Sequence, residues 1–151
     1  MHPNGEPFLL GAEKPTGIVH IPNARVVAES THRTIYISGT AAISPDGVYE
    51  GVTENPDGSF TIDAAKQTAA ILQRLDVIIR GASNGKATIH NIIDSTVYVL
   101  DMKTQYAGMN EEWNKIWPDR LSAPARATVG VKELPDPRFG VEVKATAVFE
   151  L

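Results

Sequence analysis

The sequence predicts an α+β domain in which two helices pack on one face of a mixed β-sheet. Three observations predict it. The stretch from 121 to 151, LSAPARATVGVKELPDPRFGVEVKATAVFEL, alternates in two runs around a proline-rich loop, the pattern of two strands. Residues 62–82 repeat apolar side chains at helical spacing. Along the chain the signals follow the order β-β-α-β-α-β-β, which suits helices segregated to one side of a sheet.

At 151 residues the chain has the length of one domain. Its first 16 residues carry Pro3, Pro7 and Pro15 with Gly5 and Gly11, which predicts an extended arm with no regular element before Gly17. The domain proper is then 17–151. Residues 17–29, GIVHIPNARVVAE, hold β-branched residues on both sides of Pro22, as an edge or bulged strand does. After a polar turn at 30–33, Ile35 and Ile37 alternate with Thr34, Tyr36 and Ser38, completing a hairpin. From Gly39 to Phe60 the chain passes two Pro-Asp-Gly turns and reads as a long surface loop with room for one short hairpin.

The helix at 62–82 places Ala65, Thr68, Leu72, Leu75 and Ile79 on one stripe and Lys66, Gln67, Gln73, Arg74 and Arg80 elsewhere. Thr61 or Asp63 can cap its start, and Gly81 or Gly85 can end it. A strand follows in HNIIDSTVYVL, with Ile93, Ser95, Val97 and Val99 in alternation. The second helix runs from Lys103 to Ile116, with Tyr106, Met109, Asn110, Trp113 and Trp117 near one stripe and Pro118 beyond its end. Of the last two strands, the first puts Ala125, Ala127, Val129 and Val131 on one face and Arg126, Thr128 and Gly130 on the other. The second puts Val141, Val143, Ala145, Ala147 and Phe149 opposite Glu142, Lys144 and Thr146. The uncovered sheet face is therefore predicted to carry Arg126, Thr128, Glu142 and Lys144 and to meet other subunits around a shared interior.

Composition narrows the chemistry. A net charge of −4 gives no electrostatic reason for a nucleic-acid or anionic-membrane partner, so anion binding must be local. With no cysteine there is no disulfide, thiolate metal site or cysteine nucleophile. His2, His20, His32 and His90 are scattered without zinc-motif spacing, so no metal is expected. No phosphate-loop glycine motif is present. The N-terminus lacks a signal-peptide pattern, and no stretch reaches the roughly 20 apolar residues of a membrane span. A soluble, cytoplasmic protein is expected.

Arg126, set in SAPARATV, offers a planar fork for a carboxylate. An ion pair with Glu142 is the plainer reading of both residues. Glu142 also suits a general acid or base, or a group that orients water. Asn110, in mid-helix, reads equally as a surface amide or a functional one. Trp113 and Trp117 read as packing anchors.

Taken together, YISGT at 36–40, the DAAKQTAAILQRLDVIIRGA helix, IDSTVYVLDM at 93–102, MNEEWNKIW at 109–117, APARATVGVKELP at 123–135 and VEVKATAV at 141–148 resemble the Rid/YjgF family of reactive-intermediate imine deaminases. The resemblance runs in order from Gly17 to Leu151. It implies a chorismate-mutase-like α+β fold, a homotrimer, alone or as a dimer of trimers, and active sites in the clefts between subunits. It also implies that Arg126 clamps the substrate carboxylate and Glu142 positions or activates the hydrolytic water, with Ser38, Gly39, Asn110 and Thr128 at the pocket. No cofactor is implied. The expected reaction is hydrolysis of an enamine or imine to a 2-oxo acid and ammonia.

Two departures refine this. Where the common family has a tyrosine in a Gly-Pro-Tyr segment, this chain has HIPNAR, and Thr128 stands where cysteine is frequent. The IPNAR segment, SGT and the PDG loop are similar to the 2-aminomuconate deaminase branch, although Ile43 and Ser44 replace the arginines that often precede its PD turn. A dicarboxylate substrate would call for a second cation, for which Arg25 is the first choice ahead of His20 and Lys144. The other functional classes are a general 2-imino acid deaminase, a non-catalytic trimeric binding or chaperone-like member, and a ribonuclease. An acidic chain without a basic, aromatic stripe argues against the last.

Overall fold

The computed structural model describes residues 6–11, 21–28 and 31–151. Its elements are β1 (Glu6–Phe8), β2 (Ala24–Ala28), β3 (His32–Ala41), β4 (Val52–Glu54), β5 (Phe60–Ile62), α1 (Ala64–Ala82), β6 (Ile92–Val99), α2 (Met102–Ile116), β7 (Ala125–Gly130) and β8 (Val141–Glu150). Six strands form one sheet in the order β1-β2-β3-β8-β6-β7, and β4 and β5 form a separate hairpin. Every neighbouring pair in the large sheet is antiparallel except β6 and β7. That parallel pair requires a crossover, and α2 supplies it. The α+β class with two helices and a mixed sheet is thus as the sequence predicts.

One strand was not expected. Glu6–Phe8 pairs antiparallel with β2, Pro7 standing opposite Arg25, so part of the proline-rich arm is regular structure. Proline is tolerated because β1 is the outermost strand, where a missing N–H leaves no ladder bond broken.

Helix α1 starts where Asp63 caps it, the carboxylate accepting from the Lys66 N–H at 3.0 Å. It presents Ile71, Leu75, Ile78 and Ile79 to the sheet, all 1% exposed or less, and each such burial stabilises by about 1.5–3 kcal/mol. The sheet answers with Ile35, Ile37, Val97, Val99, Val141 and Val143, all fully buried. From α2, Met109 and Trp113 join the same core. Gln67, grouped by its polarity with the outward residues, is in fact fully buried.

The Pro-Asp-Gly turns do what their glycines allow. Gly47 and Gly58 adopt φ of 82° and 83°, and their N–H groups donate to Ser44 and Asn55, three residues back. The second turn closes the β4–β5 hairpin. On β6 a register shift between Ile92 and Asp94 turns Ile93 outward, 53% exposed, so the predicted alternation holds only from Ser95 onward. No helix among the described residues is long and apolar enough to cross a membrane.

Candidate active site

Arg126 lies on β7 in register with Ser95, which is itself in register with Ala145. Ser95 and Ala145 are each 2% exposed, on the helix-covered side. Side chains in register share a face, so Arg126 points toward α2. Thr128, in register with the buried Val97, shares that face. Glu142 alternates with Val141 and Val143, both fully buried, and therefore points to the opposite, uncovered face with Lys144. The expectation that Arg126, Thr128, Glu142 and Lys144 share the open face is overturned for the first two. The Arg126–Glu142 ion pair does not form.

Sequence alternation does not settle the phase of β7, because Ala125, Ala127 and Val129 carry little apolar area on an edge strand, too little to decide which side is buried. A polar cradle on α2 decides it instead. The Arg126 guanidinium stacks 4.8 Å from the centre of the Trp113 ring. Its Nη2 donates to Asn110 Oδ1 at 2.8 Å, and its Nη1 donates weakly to Met109 Sδ at 3.7 Å. Asn110 is oriented by its own Nδ2, which donates to the Tyr106 carbonyl at 2.9 Å and leaves the amide oxygen for the arginine. That bond explains an asparagine in mid-helix. Burial lowers the arginine pKa, opposed by the neighbouring Tyr106 phenol. Arginine remains charged under such shifts, so the cradle holds a half-buried, geometrically fixed cation.

Glu142 is built differently. Burial pushes its carboxyl above the ordinary glutamate range, and it has no hydrogen-bond or ion-pair partner among the described residues. Gly39 provides the space for it: a β-carbon there would lie 2.9 Å from Glu142 Oε2. Ser38 and Gly39 form a bulge in β3 opposite the single residue Lys144, whose Nζ donates to the Ile37 carbonyl at 3.1 Å. Ser38 Oγ donates to the Pro22 carbonyl, and Ser38 N–H to the Asn23 carbonyl at 2.9 Å, tying the bulge to the start of β2. Tyr98 on β6 is in register with Glu142 and shares its face.

The predicted residues thus form two clusters. Arg126, Asn110 and Thr128 lie on the helix side; Glu142, Lys144, Ser38 and Gly39 gather around the bulge. Arg25, on β2, stands opposite Tyr36 on β3, the strand that carries the bulge. His20 is outside the described residues. Sequence reasoning did not assign Met109, Tyr106 and Trp113 to the arginine cradle, although their helical stripe was visible. Tyr98 carried no signal beyond strand alternation.

Residues 22–149 match the family model described as Endoribonuclease L-PSP. A RutC family protein of Haemophilus influenzae is 30% identical over 124 residues, 82% of this chain and 90% of that one. The RutC family protein YoaB of Escherichia coli is 35% identical over 99 residues, 66% of this chain and 78% of its own. Among solved structures, a YjgF-family protein of Neisseria meningitidis aligns with a TM-score of 0.59 at 28% identity, covering 88% of this chain and 90% of that chain. Escherichia coli TdcF with bound serine aligns with a TM-score of 0.67 at 21% identity, covering 95% and 98%. The family match takes in both β7 with its arginine cradle and β8 with its half-buried glutamate, and the chain belongs to the Rid/YjgF family.

Proposed function

We propose that this protein is a deaminase that hydrolyses a small enamine or imine amino acid to a 2-oxo acid and ammonia. One observation carries the reading: a rigidly cradled guanidinium and a half-buried, unpaired carboxylate lie on opposite faces of the same sheet. Neither is spent on the other. Two copies of the chain can bring one of each together, which favours a homotrimer with sites at subunit boundaries.

In such a site Arg126 holds the substrate carboxylate, the Trp113 face and Asn110 fixing the fork. The enamine first tautomerises to the imine. Glu142 takes a proton from water as the oxygen adds to the C=N carbon and returns it to nitrogen, giving a carbinolamine; the hydroxyl proton then passes through Glu142 to nitrogen as the C–N bond breaks, the C=O forms and ammonia leaves. Burial suits Glu142 to this exchange, because a raised pKa brings it nearer to working pH. The Escherichia coli TdcF structure with bound serine supports a small amino acid-like ligand. The substrate we favour is 2-aminomuconate, with Lys144 and Arg25, which share the Glu142 face, as candidates to meet a second carboxylate.

The test measures ammonia release and loss of ultraviolet absorbance on freshly generated 2-aminomuconate, beside a 2-aminoacrylate-type imine, for wild type and Arg126→Ala. Activity on the first substrate that collapses in the variant is the expected result. Activity on the simple imine alone would make the protein a general 2-imino acid deaminase. Activity on neither, with the fold intact, would replace the reading with a binding protein.

A further inference from the structure

We propose that Gln67 is a positioning residue for Glu142, acting through the backbone of Gly140 and Val141; this rests on the role given to Glu142 above. Gln67 lies in the first turn of α1 and is fully buried. Its amide is saturated. Oε1 accepts from the Gly140 N–H at 2.8 Å and the Val141 N–H at 3.3 Å. Nε2 donates to the Arg138 carbonyl at 2.7 Å and the Glu50 carbonyl at 3.2 Å.

These four bonds join the turn before β4, the loop after β7 and the first residue of β8 to one side chain of α1. Neither the amide nor its partners have room to slide. A β-carbon at Gly51 would lie 2.7 Å from Gln67 Cγ. One at Gly140 would lie 2.5 Å from Ile62 Cγ2 and 2.8 Å from Gln105 Nε2. The Gly140 carbonyl also accepts from the Leu100 N–H at 3.1 Å.

Glu142 is the residue that follows. Its depth against Gly39 is set by where Val141 begins the strand, and Gln67 Oε1 is the acceptor at that point. Apolar packing at position 67 would be met by methionine, which has similar length but none of the directional bonds. The charged and titratable groups on the Glu142 face are Lys144 from its own strand, Tyr98 from β6, Tyr36 from β3 and Arg25 from β2, while β3 presents Gly39 and Ala41 nearest to it. The four bonds of Gln67 all run to backbone atoms of other residues, so the amide acts on Glu142 by placement rather than by charge.

The experiment compares wild type with Gln67→Met and Gln67→Glu. It follows the Glu142 side-chain carboxyl carbon by nuclear magnetic resonance through a pH titration, and measures kcat and KM on a 2-aminoacrylate-type imine. Gln67→Glu keeps acceptors for the Gly140 and Val141 N–H groups. In Gln67→Met the Glu142 midpoint is expected to fall toward the ordinary glutamate value and kcat to drop about tenfold or more, with KM within about twofold, since Arg126 sits on another strand. Gln67→Glu is expected to lie between the two. An unchanged midpoint in the folded variants, with only a lower melting temperature, overturns the proposal and leaves Gln67 a structural residue. Should wild type release no ammonia, the deaminase reading fails by itself, and the titration still decides whether Gln67 places Glu142. If Gln67→Met does not fold, an unshifted midpoint in Gln67→Glu is the overturning result.

Discussion

The Glu142 carboxylate packs against the α-carbon of Gly39, so closely that a β-carbon built there falls 2.9 Å from Oε2. Gly39 is not at positive φ, so its backbone accepts alanine. Gly39→Ala therefore acts on the flexible end of Glu142 rather than on the fold. Lower entropy of the unfolded chain contributes about 0.5 kcal/mol of stability, which offsets the cost of the displaced carboxylate. Thermal unfolding should be nearly unchanged while ammonia release falls about tenfold or more. A variant that keeps full activity would show that this contact does not matter to the chemistry.

The raised pKa of Glu142 has a definite consequence for stability. Because the folded state binds this proton more tightly than the unfolded state, acidification from the raised value down to the ordinary glutamate value of about 4.3 adds stability, and rising pH removes it. Glu142→Gln should therefore unfold at the same or higher temperature than wild type at neutral pH, with the difference shrinking as pH falls through that window. Activity should respond in the other direction, wild type losing ammonia release as the base form is protonated. Melting curves and rates taken over the same pH series check both signs.

Asp136 provides the opposite case. Its two bonds from Arg138, with the Arg138 N–H and the Tyr49 hydroxyl, hold its carboxyl far below the ordinary aspartate range. Its contribution is present above the unfolded aspartate pKa and is lost as pH falls through the folded one. Asp136→Asn should lower the melting temperature at neutral pH and converge on wild type in acid. Parallel curves at every pH would show that the carboxylate charge contributes nothing.

Much of this architecture is legible in the residues. Strong periodicity located α1, and the apolar alternation of Val141 to Phe149 set the phase of β8 correctly. Where alternation is carried by alanines, as on β7, the phase was lost, because tertiary partners rather than local burial fix it. Gln67 was misplaced for a related reason: its position on the helix faces the core, and only the four backbone partners it meets there make a polar residue acceptable. Arg126, Asn110 and Glu142 stand out in the sequence as candidates, yet their separation onto two faces depends on sheet order, and no single strand records that.

The cradle makes Arg126 hard to replace with lysine. An ammonium cannot bond Asn110 and present a planar fork over Trp113 at once. Arg126→Lys should raise KM for the carboxylate substrate about tenfold or more, with a smaller change in kcat. Asn110→Ala removes one bond to the guanidinium and should raise KM by a few fold only. Equal falls in kcat and kcat/KM for both variants, with KM unchanged, would move Arg126 from carboxylate binding to the chemical step.

The placement of Arg126 and Glu142 on opposite faces makes the most demanding prediction. Suppose each site takes its arginine from one subunit and its glutamate from another. Then Arg126→Ala and Glu142→Gln, each inactive alone, should restore activity when mixed and reassembled. In a random one-to-one mixture, half of the arginine donors and half of the glutamate donors are intact. Independent pairing leaves about a quarter of the sites complete. Recovery near that fraction, with assembly size unchanged from wild type, is the expected outcome. A site built within one chain gives none, because every chain in the mixture lacks one of the two groups.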